Sequence, residues 1–139
     1  MQTTVTFDLL NFSENNSHLI MPIHIQGHKL HMIIDTGSSH TVLDKHLPLD
    51  FNAPHPLDES SYGMGGHLND LQITPLRNIQ IGRIVLESYE VVLADIADLN
   101  RIYSEFCHAP VAGLLGSDLL EKLHATISYP RRRITFRQE

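Results

Sequence analysis

Apolar and polar residues alternate in short stretches along most of the chain, and turn-forming residues separate the stretches. From His18 the run HLIMPIHI passes through Gln26-Gly27-His28 into KLHMIID, which predicts two strands joined as a hairpin. HTVL at 40–43 is a further short β-prone run. Pro48, Pro54 and Pro56, mixed with Asp50, Asn52 and Asp58, mark residues 48–60 as a loop. Alternation resumes over 71–81 and 84–93, with Gly82-Arg83 as the turn, and residues 95–107 admit a short helix over 98–106. Near the end, VAGLL at 111–115 reads as a buried strand. Ser117 is placed to cap a helix running to about Leu123, with Asp118 near its positive end. ATISY and RITFR are strands on either side of Pro130-Arg131-Arg132. Residues 1–17 read as a short leading strand or arm that turns polar at Ser13-Glu14-Asn15-Asn16-Ser17, and 18–139 as a single lobe. Short strands dominate, so the fold class is mainly β with one short C-terminal helix.

The 139 residues suit one domain, and 42% apolar residues can fill a core. Ten basic against 16 acidic residues leave a net charge of −6, without the basic footprint of a nucleic-acid binder. No apolar run approaches the roughly 20 residues of a membrane helix. The start MQTTVTFDLLNF has no basic region and carries Asp8, so no secretory leader and a cytoplasmic location are expected. The single Cys107 excludes an internal disulfide and a structural cysteine-zinc site. Ten histidines are unusual: protonating all of them moves the net charge from −6 to +4.

Candidate chemistry concentrates in MIIDTGSSHTVLD, residues 32–44. An apolar strand ending in Ile33-Ile34 delivers Asp35 into a Thr-Gly-Ser turn. Burial of the strand fixes the backbone beneath the carboxylate. Gly37 permits a tight turn, and Thr36 and Ser38 supply hydroxyls. SSYGMGGHLND follows, with Gly63, Gly65 and Gly66 at the tip of a predicted hairpin. Then comes AGLLGSDLL, where Leu114-Leu115-Gly116 echoes the strand-and-turn of Ile33-Ile34-Asp35-Thr36-Gly37.

In this order the three segments resemble the retropepsin-like aspartic protease family over residues 18–137. The resemblance implies a closed, mostly antiparallel β-barrel and an aspartic endopeptidase with Asp35 catalytic. Tyr62, Gly63, Met64, Gly65 and Gly66 would form a flap over the substrate, and Leu114, Leu115 and Gly116 a structural turn beneath the site. Such chemistry needs two carboxylates sharing one proton. The chain has one Asp-Thr-Gly, and its other aspartates lack that context. The second carboxylate is therefore expected from a second copy in a two-fold homodimer. Thr36 would bond across the axis, and Gly37 would offer its carbonyl to an extended peptide. The Ser38 hydroxyl would donate to the outer Asp35 oxygen; that favours the ionised form and predicts an acidic optimum. No cofactor, metal, nucleic acid or membrane is called for. The competing reading is an inactive binding or scaffolding module of the same fold.

Other residues offer weaker candidates than this site. His24, His28 and His31 have no cysteine beside them and read as solvated strand histidines before metal ligands. His40 and His67 lie near the turn and the flap, the Arg131–Arg133 triplet reads as a solvated turn, and Cys107 as a small apolar side chain. Met64, between glycines, is expected to touch substrate or the second flap.

Overall fold

The longest predicted alternations are the longest strands of the molecule. The structure, a computed structural model, describes residues 1–13, 16–57, 71–105 and 110–139. In chain order it contains β1 (Gln2–Thr6), β2 (Asp8–Ser13), β3 (Asn16–Ile25), β4 (His28–Ile34), β5 (Val42–Asp44) and β6 (His55–Pro56). These are followed by β7 (Gln72–Ile81), β8 (Ile84–Ala94), α1 (Ala97–Glu105), β9 (Gly113–Leu115), α2 (Ser117–Lys122), β10 (Thr126–Ser128) and β11 (Arg133–Arg137). The short helix admitted over 98–106 is α1, so the fold carries a second helix besides the predicted C-terminal one.

Six strands close on themselves. Hydrogen-bonded neighbours run β3-β4-β9-β5-β8-β7, and β7 returns to β3 through His24↔Gln80 and Ile25↔Ile79. Closure removes the open edges that a flat sheet of this size would expose. Most pairs are antiparallel, but β9 lies parallel to β4 and β5 parallel to β8. Met21, Ile23, Met32, Leu43, Leu76, Ile79 and Leu115 fill the interior with side chains almost wholly removed from water. Alternation sends the next residues outward. Ile20, Ile33, Val42 and Val92 form a second cluster with Tyr103 of α1, so the helix covers an apolar outer face of the barrel.

Two local expectations change. The short leading strand or arm expected over 1–17 is two strands, and they belong to the sheets: β2 pairs with β3, β1 pairs with β11, and Val5 and Phe7 are buried in the main core. Its polar stretch misleads because β2 reaches Ser13 before the chain reverses. Ser117 does not cap α2. Gly116 holds the cap position without a side-chain bond, and Ser117 is the first helical residue. The amides that open the helix are bonded to the loop before β5: Gly116 N to Thr41 Oγ1 at 3.1 Å and Ser117 N to the Ser38 carbonyl at 2.7 Å. Among the described residues no helix is long and apolar enough to cross a membrane.

Candidate active site

Asp35 stands at the end of β4, in the crowded centre of the sheet. Ile33 and Ile34 are buried and paired on both sides, with Ile20 and Leu19 of β3 and with Leu114 and Leu115 of β9. The Asp35 amide donates to the Leu115 carbonyl at 2.9 Å, so the backbone under the carboxylate is fixed before the turn begins. The turn then folds back on the side chain. Gly37 N donates to Asp35 Oδ1 at 3.0 Å, and Ser38 N donates to the Asp35 carbonyl at 3.2 Å. Thr36 and Gly37 are exposed at the tip, Asp35 is half-buried, and Ser38 is buried at the root.

The Ser38 hydroxyl serves the loop. It donates to the His40 carbonyl at 2.7 Å, and a hydroxyl has one proton to give. That proton is therefore not the expected donor to the outer Asp35 oxygen, and the acidic optimum loses this support.

Leu114 and Leu115, expected in a turn beneath the site, end strand β9 beside β4, and Gly116 caps α2; the segment is more tightly constrained than its composition suggests. Strand β9 is threaded between β4 and β5. A Cβ on Gly113 would sit 1.8 Å from the Val42 carbonyl oxygen, and one on Gly116 2.5 Å from the His40 carbonyl group. Both positions accept only glycine without displacing backbone. Three side chains outside the motif lock the crossing. Asp118 accepts Thr41 N at 3.1 Å, Thr41 Oγ1 at 2.8 Å and the Tyr89 hydroxyl at 2.9 Å. Burial, then the bond to Asp118 and its charge, push the Tyr89 hydroxyl well above the ordinary tyrosine range, so it stays a donor.

A cavity of about 390 Å³ opens beside Asp35 and Thr36. Ile33, Leu99 and Leu114 form apolar wall, His18 adds a polar one, and Ile127 and Tyr129 approach from the C-terminal sheet. His18 Nδ1 is hydrogen-bonded to the Tyr103 hydroxyl, with ring centroids 5.8 Å apart. Tyr103 is fully buried, and its ionisation is pushed well upward by burial and then by the charge of Asp35. His18, Tyr103, Thr41, Tyr89 and Asp118 were not singled out from the sequence as parts of the site. The predicted flap, Tyr62, Gly63, Met64, Gly65 and Gly66, lies outside the described residues, as do His67 and Cys107. Among the described residues, the set able to hold a metal is Asp44, His46 and Asp95, with ligand atoms within 4.8 Å of one another. They are exposed or half-exposed and do not line the Asp35 cavity.

Residues 21–119 match the sequence profile of the aspartyl protease family. The chain belongs to that family. Solved structures agree on the fold. The retropepsin-like aspartic protease from Rickettsia conorii superposes with a TM-score of 0.59 at 16% identity, over 98% of this chain and 90% of that one. The retroviral protease-like domain of Ddi1 from Leishmania major gives a TM-score of 0.52 at 12% identity, over 86% of this chain and 87% of the other. The EIAV protease complexed with the inhibitor HBY-793 gives 0.52 at 18% identity, over 86% and 99%. No curated protein matches the sequence. The aspartyl protease fold therefore holds the Asp-Thr-Gly turn of this chain on a closed, retropepsin-like barrel.

Proposed function

We propose that the protein is an aspartic endopeptidase in which Asp35 acts with Asp35 of a second copy. The observation that carries this reading is the placement of the carboxylate: rigidly rooted, held by a main-chain amide on one oxygen, and open to a cavity next to an exposed Thr36-Gly37 tip. One carboxylate cannot both take a proton from water and give one to a peptide carbonyl in the same step. Two within about 3 Å share a proton and divide the roles.

The ionised Asp35 takes a proton from a water held between the pair, and the protonated one donates to the scissile carbonyl oxygen. Attack gives a tetrahedral intermediate, and proton return to the leaving nitrogen completes hydrolysis without a covalent enzyme adduct. The two carboxyl groups titrate as a pair, so neither role belongs to one copy. Thr36, exposed beside Asp35, would bond across the axis. Gly37 can offer its carbonyl to an extended peptide, which would bind by strand addition with apolar side chains entering the cavity. The C-terminal sheet supports this approach. Its order is β1-β11-β10, so β10 is an edge strand, and Ile127 and Tyr129 at that edge reach the Asp35 cavity. Tyr129 is 52% exposed, which a second copy could cover.

The test is hydrolysis of an unfolded protein substrate at acidic pH. Cleavage that a statine-containing peptide blocks and Asp35→Asn abolishes supports the reading. Cleavage surviving Asp35→Asn overturns it, and no cleavage by an intact dimer favours the inactive binding module.

A further inference from the structure

The endopeptidase reading leaves the Arg131-Arg132-Arg133 triplet without a task. Three of the ten basic residues of an acidic chain stand side by side here, and all three are exposed. The turn that carries them is well braced. Arg132 N donates to the Tyr129 carbonyl at 3.2 Å, and the Arg132 guanidinium donates to the same oxygen. Arg131 N donates to Ser128 Oγ at 3.3 Å, and Phe7 N donates to the Arg132 carbonyl at 2.9 Å. Arg133 opens β11, paired with Thr6 on one side and Ser128 on the other. Tyr129, which anchors the turn, lines the Asp35 cavity and meets the Phe7 ring edge-on. Ion pairs among the described residues take His46, Arg101, His124 and Arg137, and none takes a member of the triplet. Asp8, next to Phe7 in the chain, forms none with it either.

We propose that the Arg131–Arg133 turn is a subsite for acidic side chains of a substrate peptide, a few residues from the bond held at Asp35. The inference rests on the endopeptidase reading and names its substrate class: an extended peptide that joins an apolar residue for the cavity to a short acidic stretch. Solvation explains why the three arginines are exposed, but not why they stand together, without acidic partners, beside the wall of that cavity. A patch of one sign raises the local concentration of the opposite charge. Guanidinium groups bind carboxylates through paired, charge-assisted hydrogen bonds. An extended peptide advances about 3.3 Å per residue, so one with a side chain in the cavity reaches the turn within about three residues. A long polyanion such as nucleic acid fits less well, because it would also meet the field of a chain with net charge −6. Exposed pairs of this kind are individually weak, so selectivity comes from two or three acting together and fades with salt.

Peptide binding to the Asp35→Asn protein tests the proposal without requiring hydrolysis. Labelled peptides carry an apolar centre with Glu-Glu-Glu before or after it, and their counterparts carry Gln-Gln-Gln. Fluorescence anisotropy is read at about 0.02 M and about 0.5 M salt. One acidic peptide should bind at least about threefold more tightly than its Gln counterpart at low salt, and the advantage should vanish at high salt. Arg131→Gln combined with Arg133→Gln should remove the advantage, and the two Lys replacements should keep most of it. Arg132 stays in place because its guanidinium braces the turn. If the Gln pair does not fold, the single variants Arg131→Gln and Arg133→Gln carry the same comparison. Equal binding of acidic and neutral peptides overturns the proposal, as does an advantage that survives the Gln variants. Tighter, arginine-dependent binding of duplex DNA also overturns it and assigns the turn to nucleic acid. In wild type, acidic residues should be enriched within about four residues of the bonds cut in an unfolded protein. If wild type cuts nothing, the endopeptidase reading falls, while the binding comparison still decides the subsite.

Discussion

The Thr41 hydroxyl donates to Asp118 Oδ1 at 2.8 Å and accepts the Gly116 amide at 3.1 Å, so one buried oxygen joins the loop after Asp35 to the first turn of α2. The contact spans 77 residues of sequence. Thr41→Val keeps the shape and deletes both bonds, leaving the Gly116 amide and the Asp118 carboxylate short of a partner. The expected loss is about 1–3 kcal/mol in urea unfolding, with Thr41→Ser close to wild type.

Glycine at 113 is set by a steric demand, and glycine at 37 is not. A Cβ on Gly113 collides with backbone at 1.8 Å, whereas one on Gly37 meets its nearest neighbour, Asp35 Oδ1, at 3.4 Å. Gly113→Ala should lower stability by about 3 kcal/mol or prevent folding. Gly37→Ala should unfold within about 0.5 kcal/mol of wild type. Thermal melts of the two proteins check the contrast.

Stability should fall on the alkaline side through Tyr89. Its hydroxyl is held above the ordinary tyrosine range by burial and by Asp118. The contribution is complete below the unfolded value of about 10 and is lost as pH rises beyond it. Denaturant midpoints between pH 8 and pH 11 should drop less steeply in Tyr89→Phe than in wild type.

The acid side has an opposite case. Asp95 is held below the ordinary aspartate range, first by the Ala97 amide bonded to its Oδ1 at 3.0 Å and then by His46 and Lys45 nearby. Its contribution is present above the unfolded value of about 3.9 and is lost as pH falls through the folded one. Asp95→Ala should be less stable than wild type at neutral pH, and the gap should close below pH 4.

Much of this molecule is legible in its pattern of residues. The β3–β4 and β7–β8 hairpins follow from alternation around Gln26-Gly27 and Gly82-Arg83, and Asp35 emerges where the strand ends. Gly113 is different. It sits in a segment that reads as an ordinary buried strand, and its need for glycine comes from Val42, a residue 71 positions away. Asp118 likewise reads as a helix-start acid, while its work is to hold Thr41 and Tyr89. His18 is a mixed case. Alternation places it at the start of β3, but its bond to Tyr103 depends on how α1 packs, which local pattern does not encode. The opening strands are only partly legible for a similar reason, since β1 gains its pairing from β11 at the other end of the chain.

The central claim is that two copies of Asp35 make one site, and subunit mixing tests it most directly. A fixed amount of active wild-type protein is allowed to exchange with an equal amount of Asp35→Asn, and hydrolysis is measured. A shared pair predicts that activity falls to about half, because wild-type chains are drawn into dimers with one carboxylate. Activity unchanged by the added variant, after exchange is verified, would contradict the account.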